Sequence, residues 1–291
     1  MKFRVRHYTE YLYQDTASLC YNRLCLVPLT IAEQTCLSSD INIVPKPTDY
    51  SERVDFFGNN LSFFSISNEH KKLKISSSSI VKMENRINAD LAFSSTVRWK
   101  DVGAEIAANP QAHDIIQYTL PSQFIPYSEV IREFAADCFP EDATLWSCCQ
   151  ALMQKIYKNL EFKPGFTTIN TPVETVVKNK KGVCQDFAHL MIACLRNLNL
   201  PARYVSGYLE TVPPPGKEKL VGADASHAWV SVFFPGIGWV EFDPTNGLLP
   251  AYKHITVAYG RDYLDVAPIK GIVFSSGNQK LTVRVDVERI E

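Results

Sequence analysis

No stretch of the 291 residues approaches the roughly 18 uninterrupted apolar positions that a membrane helix requires, and the longest apolar runs are broken by charge or proline. That predicts a soluble protein with no membrane partner. Charge of one sign is also missing. Thirty Lys and Arg stand against 31 Asp and Glu, the formal net charge is -1 and the pI is near 6.6, so there is no broad basic field to hold nucleic acid. The lysines at 71, 72 and 74 and at 178, 180 and 181 read as solvated faces. The eight cysteines include no C-x-x-C pair, which speaks against a structural zinc site and a disulfide framework. The opening Met1-Lys2-Phe3-Arg4-Val5-Arg6-His7 alternates like a strand and lacks a signal peptide's apolar core, so a cytoplasmic location with reduced thiols is expected. There is no H-E-x-x-H motif and no compact ligand cluster, so no metal or other cofactor is expected, and a metal hydrolase using His227, His189 and a carboxylate is disfavoured.

The length accommodates about two domains, each able to bury its own core. Up to Lys82 the chain offers short alternating runs at 3–13, 20–27, 35–44, 53–57, 61–67 and 73–81, the pattern of an antiparallel sandwich or barrel. Phe57-Gly58-Asn59-Asn60 supplies residues that tolerate positive φ, which predicts a hairpin turn there. Prolines at 110, 121 and 126 mark a connector with one short helix at 102–108. The expected domains are 1–110 and 111–291. Helix-period segments follow at 128–138, 142–160 and after Gly182, the last presenting Phe187, Leu190, Met191, Cys194, Leu195 and Leu198 on one apolar face. Strand-like runs at 203–211, 227–234, 238–242 and 280–290 close the chain. The expected class is α+β, helices packed on an antiparallel sheet behind an N-terminal β domain.

Cys184 falls in the first turn of the third helix, behind the turn Lys181-Gly182-Val183. Unsatisfied N–H groups and the positive end of the helix dipole stabilise a thiolate at such a position. His227 opens one strand of an expected hairpin across Pro235-Gly236-Ile237-Gly238, and Asp243 ends the other. Antiparallel pairing therefore brings both to the same end of the sheet. A thiol needs a base within hydrogen-bond reach, and the base needs a third group to fix its orientation. Cys184, His227 and Asp243 supply those three roles, although a buried packing cysteine, a structural histidine and a turn aspartate are each commoner singly.

At these residues the chain resembles the bacterial transglutaminase-like proteins of the papain-like superfamily. The resemblance is carried by Gly182-Val183-Cys184-Gln185-Asp186-Phe187-Ala188-His189, by Pro201-Ala202-Arg203-Tyr204-Val205-Ser206-Gly207-Tyr208 and by Asp224-Ala225-Ser226-His227-Ala228-Trp229. It continues through Gly238-Trp239-Val240-Glu241-Phe242-Asp243-Pro244-Thr245-Asn246 and Gly260-Arg261-Asp262-Tyr263 with Asp265-Val266, and the first ninety residues resemble the β-rich domain that accompanies that core. It implies a papain-like fold with Cys184, His227 and Asp243 as nucleophile, base and orienter, and a protein or peptide as substrate. The acyl acceptor would be an amine, with water or a fold that has lost its activity as alternatives. The stretch 178–183 has no glutamine to serve as a papain-type oxyanion donor, which leaves the Cys184 backbone N–H as one donor and the second unassigned.

Around the three residues, Gln185 and Asp186 are candidates to border the substrate groove, and Trp229 and Tyr208 are candidates for its aromatic wall, with core packing as an equal reading. His189 is expected to pair with Asp186 at i, i+3. The loop Pro213-Pro214-Pro215-Gly216 is expected to be a surface loop or a lid. His254 matches a family position with no derivable role.

Overall fold

The computed structural model describes residues 1–84, 88–108, 112–210 and 225–291. The 213–216 loop lies outside the described residues, as do Asn85 and Pro110 of the connector. Six strands open the chain: β1 (Lys2–Ala17), β2 (Leu19–Leu24), β3 (Gln34–Val44), β4 (Asp49–Val54), β5 (Asn60–Ile66) and β6 (His70–Met83). Alternation puts Phe3, Val5, His7 and Thr9 of β1 inside, the period-two signature of a half-buried sheet. The hairpin between β4 and β5 forms, but β4 ends three residues before the predicted limit. The Asp55 carboxylate accepts the N–H groups of Phe57 and Asn59, both at 2.8 Å, and Gly58 takes φ +84°, so the turn begins at Asp55.

Short helices α1 (Asn88–Phe93), α2 (Val102–Ala107) and α3 (Ala112–Ile116) lead to α4 (Glu129–Ala135) and α5 (Leu145–Asn159). The fifth starts at Leu145 because the Thr144 hydroxyl caps it, accepting the Ser147 N–H at 3.2 Å. After the two-residue strand β7 (Glu161–Phe162) come α6 (Val173–Asn179), the short β8 (Lys181–Gly182) and α7 (Cys184–Arg196). Strands β9 (Ala202–Leu209), β10 (Ala225–Phe234), β11 (Gly238–Phe242) and β12 (His254–Gly260) form a sheet in the order β11-β10-β9-β12, and the apolar face of α7 packs on β10 and β9. The sequence signalled no strand at β12, because all seven of its residues are buried and a strand buried on both faces shows no alternation.

The closing elements α8 (Tyr263–Val266), β13 (Ile269–Phe274) and β14 (Gln279–Arg289) bring strands from beyond the expected division at residue 110/111 back to the N-terminal sandwich. β14 pairs with β1 from Phe3↔Arg289 to Tyr13↔Gln279, and β13 pairs with β2 from Leu24↔Ile269 to Leu19↔Phe274. The sandwich is therefore two four-stranded sheets, β14-β1-β6-β3 and β13-β2-β5-β4, and its last strands come from the chain's C-terminal end. An edge strand such as β1 leaves its N–H and C=O groups unpaired unless something covers it, and β14 does so while burying Val285 and Val287.

The two domains share one core, in which Phe3, Val5, Val81, Val285 and Val287 join the helices' apolar faces. Two amide side chains fasten the sandwich to the free edge of β12. Gln34 donates to Thr256 O at 2.7 Å and accepts from Thr256 N–H at 2.8 Å; Asn59 does the same to Tyr259 at 2.7 and 2.8 Å. Residues 1–110 expressed alone are thus expected to show no cooperative urea transition, because β1 and β2 each lose a partner strand. A sharp transition of that fragment by circular dichroism would show that the sandwich does not need its C-terminal strands.

Candidate active site

α7 is held at both ends. At its start the Asp186 carboxylate accepts the Val183 N–H at 2.8 Å and the Thr167 hydroxyl at 2.6 Å. This satisfies helix-terminal donors that would otherwise be orphaned. A Cβ on Gly182 would stand 2.9 Å from the Asp186 Cβ and Oδ2, so glycine is required for that approach. At its end the buried Arg196 donates to the carbonyls of Ala202, Leu120 and Arg261. Between these anchors the Cys184 sulfur occupies the first position of the helix and is half-buried.

His227, buried on β10, faces Gly207 across the pair with β9. Its Nε2 hydrogen-bonds Asp243 Oδ2 at 2.8 Å, and Cys184 on α7 is near enough to act on the charge of its ring. Burial is the largest influence on His227 and pushes it down, but the hydrogen bonds and charges of Asp243 and Cys184 outweigh it and raise it to about 10. Burial likewise pushes Asp243 up, yet hydrogen bonds from His227 and His254 and the charges behind them hold it well below the usual carboxylate range.

Asp243 is completely buried and gathers the whole site. Its Oδ1 accepts the Thr245 and Asn246 N–H groups at 2.9 and 3.2 Å. Its Oδ2 meets, besides His227, the Asn246 side-chain amide at 2.7 Å and His254 Nε2 at 3.0 Å. Asn246 and His254 are the residues that sequence reasoning left without a role; Asn246 stood in a quoted motif, and His254 was noted only as a matched position. His227, Asp243 and His254 are also the metal-capable group among the described residues, with donor atoms within 4.8 Å of one another. Their closest approaches all converge on one oxygen at hydrogen-bond length, the geometry of a proton network.

Several expected neighbours are placed otherwise. Trp229 and Tyr208 are buried and do not line an open groove. The Trp229 indole donates to Glu241 at 2.9 Å and its ring stands edge-on to His254 at 5.3 Å; the Tyr208 hydroxyl bonds His7 Nδ1 of β1 at 3.0 Å. Asp186 and His189 do not pair. His189 Nε2 accepts the Tyr263 N–H at 3.2 Å, which engages that nitrogen's lone pair, and its burial pushes it down to about 4. Gln185 is half-buried beside Cys184. A cavity of about 670 Å³ over Tyr21, Tyr50 and Ile272 lies on the sandwich, and one of about 400 Å³ by Arg203 and Trp239 lies between the domains; Cys184 lines neither.

A thiol at a helix start, an imidazole on the facing sheet and a buried carboxylate behind it, set on helices packed against an antiparallel sheet, define a papain-like fold. The chain belongs to the bacterial transglutaminase-like family: the Transglutaminase-like superfamily profile matches residues 132–244, and the Bacterial transglutaminase-like N-terminal region matches residues 3–82. An uncharacterized protein of Mycobacterium tuberculosis is 38% identical over 295 residues, covering 100% of this chain and 93% of its own. A protein-glutamine gamma-glutamyltransferase of Pseudomonas aeruginosa is 30% identical over 109 residues, which is 35% of this chain and 16% of that protein. Among solved structures, a candidate cysteine protease from Cytophaga hutchinsonii shares the fold with a TM-score of 0.76 at 23% identity, over 100% of this chain and 91% of that one.

The site makes two stability predictions. His227 is raised from 6.5 to about 10 in the folded protein, so its bond to Asp243 stabilises fully below pH 6.5 and that contribution is lost as the pH rises toward 10. The stability gap between the native protein and Asp243→Asn, read from urea midpoints, should shrink across that window; a constant gap would contradict the pairing. A Cβ on Gly207 would meet Ile255 O at 2.2 Å and the Trp229 ring at 2.4 Å. Gly207→Ala is therefore expected to cost about 2 kcal/mol or more, as overpacking does, and an unchanged midpoint would refute that close approach.

Proposed function

We propose that the protein is a cysteine acyltransferase acting on a glutamine side chain or peptide amide, with Cys184 as nucleophile, His227 as base and acid, and Asp243 as orienter. The single observation behind this is that Cys184 opens α7 within electrostatic reach of an imidazole whose Nε2 is fixed on a buried carboxylate. The sulfur attacks the amide carbon, an S–C bond forms, and the C–N bond breaks as the His227 proton passes to the leaving nitrogen. An amine then attacks the thioester carbon, His227 takes its proton, and the sulfur leaves as thiolate. The Cys184 backbone N–H, at the positive end of the helix, serves the developing oxyanion.

An amine acceptor is favoured by the relative that is named a protein-glutamine gamma-glutamyltransferase. Trp229 and Tyr208 give that preference no support, since both are buried. An amine competes with water at roughly 55 M, so transfer needs a bound and sheltered acceptor. The partition is measured by supplying a glutamine-containing peptide with increasing primary amine and comparing amide-linked product with free acid. Amide-linked product is expected to dominate at saturating amine. Product that stays free acid across varied amines would make water the acceptor and leave the thioester mechanism intact.

The nucleophile has its own test. Burial pushes up the thiols of Cys20, Cys25, Cys36, Cys138, Cys148, Cys149 and Cys194. Sub-stoichiometric iodoacetamide near neutral pH should therefore label Cys184 first, and peptide mapping that finds label elsewhere with Cys184 untouched would remove it from the role. Asp243→Asn is expected to slow turnover by about a thousandfold or more, because an amide can hold His227 in the wrong tautomer.

A further inference from the structure

His254 enters the site from β12, the strand whose outer edge the sandwich grips through Gln34 and Asn59. It is buried, its Nε2 lies 3.0 Å from Asp243 Oδ2, and its ring is 6.0 Å from the His227 ring and 5.3 Å from that of Trp229. The same Asp243 oxygen that accepts from His227 thus accepts from a second imidazole. We propose that His254 is a positioning residue of the triad: it shares the Asp243 carboxylate with His227, fixing its direction and limiting how tightly it holds the His227 proton. The inference rests on the reading of Cys184, His227 and Asp243 as a catalytic triad.

The physical argument is one of competition. A carboxylate oxygen that accepts two imidazole N–H groups and one amide N–H divides its negative charge among them, and bonds to a charged acceptor are among the strongest in a protein. Without the His254 donor, more of that charge falls on His227, which then keeps its proton to higher pH. The charged and titratable groups meeting this pair are Cys184 from α7, His254 from β12 and, through the Trp229 indole, Glu241 from β11. Asn246 supplies a neutral donor from the turn after β11. Rotation is restricted too, since His227, His254 and the Asn246 amide hold the same carboxylate oxygen at once.

The test is the pH dependence of Cys184 alkylation, read site by site by mass spectrometry across pH 5 to 11 on the full chain. It needs no substrate. The reagent is iodoacetate, whose negative charge is attracted by the imidazolium, so in the native protein the rate should fall at high pH as His227 loses its proton and its charge. His254→Phe keeps a ring against Trp229 and removes the donor, and the alkaline limb should move up by about one pH unit. His254→Gln retains a side-chain N–H and should leave the limb within a few tenths of the native value. Urea midpoints measured in parallel show that both variants are folded. If both are folded and slower but the limb of His254→Phe stays where it was or moves down, His254 only packs against Trp229 and the proposal fails. If the native protein itself shows no preferential alkylation of Cys184, the triad reading fails instead, and the two failures are distinct. Should His254→Phe fail to fold, His254→Leu takes its place as the variant without a donor: a limb moved up by about one pH unit upholds the hydrogen-bond account, and a limb that stays or moves down overturns it.

Discussion

The buried carboxylate of Asp243 is the constraint around which the site is built. An ion removed from water costs several kcal/mol unless its lone pairs are met. Here five donors meet them: two backbone amides of the following turn, one side-chain amide and two imidazoles. Each comes from a segment that something else must place. The turn is closed by the bridge between Asp243 and Leu248, His227 by the pairing of β10 with β9, and His254 by β12. Loss of any one leaves a desolvated charge partly unpaired, a larger penalty than the lost bond itself.

This requirement ties the β sandwich to the chemistry. β12 has only β9 beside it in its own sheet, and its other edge is completed by the Gln34 and Asn59 amides together with the Leu29 N–H on Thr256 O at 3.1 Å. Side-chain amides carry a donor and an acceptor in the geometry of a peptide group, so they substitute for a neighbouring strand. The sandwich in turn is completed by β13 and β14, which follow the catalytic core in the chain. Neither domain is self-sufficient in hydrogen bonds, and a shared apolar core runs through both.

On the other side of the cleft, α7 is a rigid arm that presents one sulfur. Its thirteen residues are clamped by Asp186 at the start and Arg196 at the end, and eleven of them, from Asp186 to Arg196, are buried. That leaves Cys184 and Gln185 as the half-exposed part of the helix. Cys194, a thiol on the same helix, is fully buried against the carbonyl of Ile131. Ten residues and a change of surroundings separate the half-exposed thiol proposed as nucleophile from a packing residue of the same chemical type.

The sequence by itself determined most of what is local. Alternation in β1 and β6, the Gly58 turn, the apolar face of α7 and the hairpin of β10 and β11 are short-range patterns, and so is the placement of Cys184, His227 and Asp243 at the ends of their elements. The tertiary structure alone decided the rest, because it depends on pairings between distant residues. Nothing in 279–289 says that it will lie against Lys2–Ala17 and not against the catalytic sheet, since alternation sets a face and not a partner. An all-buried strand such as His254–Gly260 carries no period to read. Trp229 and Tyr208 could be wall or core until their neighbours were fixed, an aromatic residue being suited to both. The second imidazole on Asp243 was invisible for the same reason: hydrogen bonds that converge from two strands and a turn are a property of packing, and no spacing along the chain records them.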